Sequence, residues 1–245
     1  MLDPYLYSDT SVLKNLLDIR SEKTLDLVEA EQSRANMMLL YEQGFDDFSP
    51  EGLCKIHRFL FGDIYEWAGK YRIMNIRKSE RLLGGRSVWY SNDDDIERDL
   101  KNAFESIREF DWDHCSREEF VKALTLRFPP IWRVHPFREG NTRTVVMMMT
   151  MFVEAHGYFF DKDLLAASAG YVRDSFVMAS IDQYSEYEHL ERILMDAVCT
   201  APIPLEASDS SPAPVESKYQ KYQKEPYKPS PHEAIGSDQE PVAND

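Results

Sequence analysis

The chain has 245 residues, 43% of them apolar, and a formal net charge of −15. That is apolar material enough for one domain with a real core, while so acidic a surface argues against nucleic acid or an anionic membrane as partner. Three scattered cysteines, Cys54, Cys115 and Cys199, make neither a metal spacing nor a disulfide framework, which points to a reducing, cytoplasmic setting.

The first residues carry no basic and apolar leader, and no run approaches 18 apolar residues, so neither a signal peptide nor a membrane span is expected. Beyond an N-terminal segment, 1–24, the period is helical. Leu25 to Gln43 reads as one helix, with Val28, Ala35, Met38 and Leu39 among its apolar positions and Gly44 past its end. Ser49 and Pro50 open the next, where Leu53, Ile56, Leu60 and Phe61 follow at helical spacing. Between Lys70 and Tyr90 the pattern changes. Tyr71–Ile76 alternates, Arg86–Tyr90 is rich in strand formers, and Gly84-Gly85 lies between them, which predicts a hairpin.

Helical spacing resumes over Asp94 to Phe110, with the acids at 93–95 suited to a helix N-terminus. Ser116 and Glu119 form a capping box for a fourth helix. Pro129 and Pro130 within it remove two donors, so a break or kink is expected there. Met147 to His156 is apolar on most faces and reads as a central buried helix. Leu164 to Ser180 and Tyr187 to Val198 close a domain spanning 25–199. Residues 200–245 are dominated by Pro, Ser and charge, a composition that cannot offset chain entropy and predicts a disordered tail. Its tyrosine- and lysine-rich stretch at 217–231 would suit a docking or modification motif. His57, His156 and His189 make no metal set and read as structural, and Trp67 and Trp132 as core anchors.

The decapeptide HPFREGNTRT, His135 to Thr144, sits just before the central apolar helix. Gly140 and Asn141 suit a helix start, not a helix interior. The first backbone N–H groups beyond them are then unpaired and form an anion cradle. Arg143 adds a positive charge where the helix dipole prefers a negative one, as if an anion were to complete the site. Glu139 could hold a divalent metal brought by a phosphate, and His135 could serve as a base. Together these are the groups needed for attack of a hydroxyl on a phosphate.

The stretch resembles the Fic signature, whose pattern runs His-x-Phe-x-Asp/Glu-Gly-Asn-Gly/Lys-Arg-x-x-Arg; His135, Phe137, Glu139, Gly140, Asn141 and Arg143 match. The segment His57 to Arg72 resembles the family's approach to its flap, and the likeness extends over about Leu25 to Val198. The resemblance implies an all-α Fic-type bundle with a small β-hairpin flap. It implies transfer of AMP from ATP to a Ser, Thr or Tyr hydroxyl of a protein substrate, with release of pyrophosphate. His135 would be the general base, and Glu139 would hold Mg2+. Phe137, Gly140, Asn141, Thr142 and Arg143 would form the nucleotide site. The flap, about 75–90, would hold the target's backbone through Arg77, Leu82, Leu83 and Gly84.

Two positions depart from the pattern. Thr142 stands where Gly or Lys is usual, and its β-branched side chain restricts phosphate approach. Val146 replaces the final arginine, which would grip the γ-phosphate. A non-catalytic nucleotide-binding module, or a transferase using another phosphate donor, therefore stand as alternatives. The family's inhibitory Ser/Thr-x-x-x-Glu-Gly/Asn motif is absent from the sequence. No built-in inhibition of that type is expected, which leaves room for a separate inhibitor protein.

Overall fold

Ser21 starts the first helix earlier than the apolar pattern does. Its hydroxyl accepts the Thr24 N–H, and α1 runs Glu22–Gln43. This computed structural model describes residues 3–8, 10–202 and 221–222. Ser49 caps α2 (Pro50–Phe61) through the Gly52 N–H, with Pro50 in the first turn. A 3-10 turn at Asp93–Asp95 leads into α3 (Ile96–Arg108). The reciprocal Ser116–Glu119 capping box opens α4 (Arg117–Val134). Then come α5 (Asn141–Ala155), α6 (Lys162–Ala167), α7 (Ala169–Met178) and α8 (Glu188–Ala197). A two-residue strand, β1 (Phe159–Phe160), pairs antiparallel with β2 (Val198–Cys199) after α8.

The all-α architecture is organised around α5, which packs against α2 and α4; α4 also meets α3 and α8. Met147, Met148, Met149, Phe152 and Val153 of α5 are buried with Phe120, Phe128 and Trp132 of α4. This dry layer fixes the start of α5, and with it the motif, against the end of α4. No described helix is long and apolar enough to cross a membrane.

Three local expectations are corrected. The prolines do not break α4, which continues through them with Phe128, Ile131 and Trp132 buried on both sides. In α1 the buried stripe is Leu25, Glu29, Ser33, Asn36 and Leu40, while Met38 and Leu39 are exposed; polar packing partners override the apolar period. No strand forms over 70–90 among the described residues. The Gly84-Gly85 turn is present in left-handed geometry, with Glu80 N–H donating to Arg86 O at 3.0 Å and Gly85 N–H to Glu80 O at 2.9 Å, but no ladder extends beyond them. The amides a ladder would use are spent elsewhere: Arg72 N–H on Pro136 O, Ile73 N–H on the Tyr5 hydroxyl and Lys78 N–H on Ser87 Oγ.

The tail predicted at 200–245 lies for its greater part outside the described residues. Lys221 and Tyr222 are described, and Tyr222 is buried against Tyr171, its hydroxyl 2.7 Å from an Asp196 carboxylate oxygen and 3.0 Å from Arg192 O. At that point the segment does find an apolar and polar socket.

Candidate functional site

The motif loop is held by three groups outside the apolar pattern. Arg72 is buried, and its guanidinium donates to His135 O at 2.9 Å, to Met74 O at 2.8 Å and to Ser91 O. These bonds fix the left-handed turn at His135 (φ 51°), which ends α4. Asn141 spends both ends of its carboxamide on one residue: Oδ1 accepts Phe137 N–H at 2.9 Å, and Nδ2 donates to Phe137 O at 2.8 Å. His57 is fully buried and stacked on Phe137, with ring centroids 3.8 Å apart. Its Nδ1 accepts Gly69 N–H at 2.8 Å, so Nε2 carries the proton and donates to Glu139 O at 3.0 Å. Burial pushes this imidazole down to about 3.

His135 faces the cavity from below. Its ring is 2% exposed, stacked on Tyr90 at 4.0 Å and edge-on to Trp132 at 5.1 Å. Nδ1 lies 3.2 Å from Trp132 O; a carbonyl only accepts, so Nδ1 carries the proton and Nε2 the lone pair. Nε2 is buried with no hydrogen-bond partner. Burial first, and then the nearby Lys78 ammonium, hold this imidazole well below its ordinary range.

The cavity measures about 500 Å³ and is walled by α1, the 70–90 loop, the motif and α7. Glu29, Lys78, His135, Glu139, Arg143 and Arg173 are among its lining residues. Lys78 Nζ bridges both carboxylate oxygens of Glu139, at 2.9 and 3.1 Å. Burial raises the Glu139 carboxyl, but the Lys78 ammonium prevails and leaves it below its ordinary value. Arg143 pairs with Glu29 and reaches Ser33 Oγ at 2.8 Å; Tyr65 donates to the same Glu29. Arg173 holds the buried Glu80 at 2.8 Å. Gly140, at φ 79°, lets the loop turn beneath the Phe61 ring and present the first amides of α5.

Among the residues singled out in the sequence, His135, Glu139, Gly140, Asn141, Thr142 and Arg143 all line this cavity. Phe137 does not; it is a fully buried anchor under the loop. Thr142 turns its hydroxyl to accept the Trp132 indole N–H at 2.8 Å, so the side chain leans on α4. Val146 is half-buried against the core and brings no charge. Arg77, Leu82, Leu83 and Gly84 do not line the cavity, although Lys78 of the same loop does; Arg77 and Gly84 are exposed and Leu83 is buried. Glu29, Ser33, Lys78 and Arg173 escaped sequence reasoning. Only the polar residues at 29, 33 and 36, spaced along one helical face, hinted at the first two.

The family model described as "Fic/DOC family" matches residues 47–153. The Sinorhizobium fredii protein named "Probable protein adenylyltransferase y4lH" is 32% identical over 173 residues, 66% of this chain and 81% of its own length. "Protein adenylyltransferase VbhT" of Bartonella schoenbuchensis is 30% identical over 183 residues, 74% of this chain but 36% of that longer protein. Among solved structures, the N-terminal Fic domain of a VirB-translocated Bep effector from Bartonella quintana superposes with a TM-score of 0.66 at 25% identity, covering 80% of this chain and 91% of that one. BepC from Bartonella tribocorum, solved with bound AMPPNP, shares the fold with a TM-score of 0.68 at 22% identity, covering 79% of this chain and 95% of that one. With its motif at the mouth of the central helix and a relative matched over most of that relative's length, this chain belongs to the Fic/DOC family.

Proposed function

We propose that the chain is a protein adenylyltransferase, moving AMP from ATP to a Ser, Thr or Tyr hydroxyl of a target protein. The observation that carries this reading is the lone pair on His135 Nε2, buried without a partner at a cavity that also contains the start of α5. The acceptor oxygen attacks the α-phosphorus while its proton passes to Nε2. The bond from the α-phosphorus to the oxygen bridging to the β-phosphate breaks, and pyrophosphate leaves with the electron pair. The amides at the start of α5 and the Arg143 guanidinium supply the positive field for the phosphates.

Glu139 fits Mg2+ arriving with the nucleotide. Among the described residues no group of three or more His, Cys, Asp or Glu could hold a metal by itself. One carboxylate plus phosphate oxygens and water is a common way for this hard ion to bind, and it supplies charge neutralisation there. The 75–90 loop, with Arg77, Leu82, Leu83 and Gly84, receives the target's backbone by strand addition, no ladder of its own having formed along it. The three cysteines are free thiols, in keeping with action in the cytoplasm.

Incubation of the full chain with α-labelled ATP, Mg2+ and a cell lysate tests the reading. His135→Ala should abolish label transfer; equal labelling by both proteins would sink it. Val146 favours a second reading, in which the donor is a phosphate-linked alcohol without a γ-phosphate, because no charged side chain at that position grips one. Intact-mass analysis of modified protein after incubation with ATP or with a nucleoside diphosphate-linked alcohol separates the two.

A further inference from the structure

Lys78 lines the cavity and takes no part in the reaction above. It comes from the 70–90 loop, yet its Nζ spans both oxygens of the carboxylate expected to meet the nucleotide's divalent cation. An ammonium bridging both oxygens leaves a metal ion only their outer lone pairs, so the two cations compete for that carboxylate. Of the acids nearby, Glu29 is engaged by Arg143, Glu80 by Arg173 and Asp174 by Arg81, while Asp26 lines the same cavity from the exposed side of α1. Once displaced from Glu139, the ammonium meets its strongest anion in the phosphates, which arrive at that same carboxylate with the cation. Both Lys78 and Glu139 are partly exposed, at 24% and 33% of their side chains, and the flexible four-carbon stem allows the swing.

We propose that Lys78 is a phosphate-binding residue of the nucleotide site. Its ammonium neutralises Glu139 in the free protein and moves onto a phosphate oxygen when the nucleotide and its divalent cation engage Glu139. The 70–90 loop thus reports nucleotide loading: Lys78 leaves its anchor on the motif only when ATP is in place. This inference rests on the nucleotide-transfer reading above.

The test is ADP binding by calorimetry on the full chain, with Mg2+ and again in EDTA, for wild type, Lys78→Met, Glu139→Gln and the double variant. In EDTA, Lys78→Met loses a cation and bares Glu139 to the phosphates. Affinity should fall at least about tenfold, the size of one charge-assisted hydrogen bond. The deciding comparison is in the Glu139→Gln background, where Lys78 has no carboxylate to neutralise. A phosphate contact predicts that Lys78→Met still weakens ADP binding about fivefold to tenfold there. Lys101→Met on the exposed side of α3 carries the same charge change and should leave binding unaltered. Unchanged affinity on adding Lys78→Met to Glu139→Gln would overturn the proposal, reducing Lys78 to a counter-ion. Failure of the wild type to bind ADP in either buffer would overturn the nucleotide reading as well, and so is told apart from that result.

Discussion

Replacing Gly140 with alanine is the sharpest test of how the motif is held. The residue sits at φ 79°, where a non-glycine residue costs about 1–2 kcal/mol. The added Cβ would lie 2.5 Å from Phe61 Cε2 and 2.5 Å from Phe61 Cζ, so the ring or the loop must shift. Overpacking of that kind costs about 1–3 kcal/mol, offset by about 0.4–1 kcal/mol from the stiffer unfolded chain. The net loss is then roughly 1–4.5 kcal/mol. Urea unfolding of the full chain, followed by tryptophan fluorescence, measures it at fixed pH. Phe61→Leu in the same background should recover part of the steric share, so that the double variant is less destabilised than the sum of the singles. A loss below about 1 kcal/mol for Gly140→Ala would refute the reasoning, showing that the loop is free to yield.

Two further outcomes follow from the buried rings. His57 titrates near 3 when folded and near its ordinary 6.5 when unfolded, so the unfolded chain takes up a proton first. Stability should therefore fall as pH drops below 6.5, by about 1.4 kcal/mol per pH unit inside that window. His57→Gln should remove that part of the slope, and equal slopes for both proteins between about pH 6 and 4.5 would contradict it. Thr142→Val keeps the shape but removes the acceptor for the buried Trp132 indole N–H. It should cost about 1–3 kcal/mol, while Thr142→Ser should cost less; equal losses by thermal unfolding would show the hydrogen bond to be immaterial.

The helices were legible because capping residues and apolar period agree. Ser49 with Pro50, and Ser116 with Glu119, each mark a start that the folded chain uses. The start of α5 at Asn141 could be read from Gly140 and the change in hydropathy after it. What period could not reveal is where polarity is buried. In α1, Glu29 and Ser33 face inward because Arg143 and Tyr65 await them from other parts of the chain, so the apolar residues nearby turn outward. The hairpin prediction stopped at propensity. Arg72, Ile73 and Lys78 have their amides taken by groups distant in sequence or by a side chain, a tertiary effect that strand formers cannot signal. Lys78 and Arg173 were invisible for the same reason: their significance lies only in what stands opposite them.

The paired bonds between Asn141 and Phe137 have a consequence for which residues position 141 can tolerate. The loop asks one short side chain to offer an acceptor to an amide and a donor to a carbonyl of the same residue, which closes a small ring of atoms. Aspartate would set a second acceptor against that carbonyl and repel it, serine has one oxygen where two atoms are needed, and glutamine would overshoot by a methylene. A carboxamide one carbon from the backbone is therefore a geometric requirement of the turn, present before any ligand arrives.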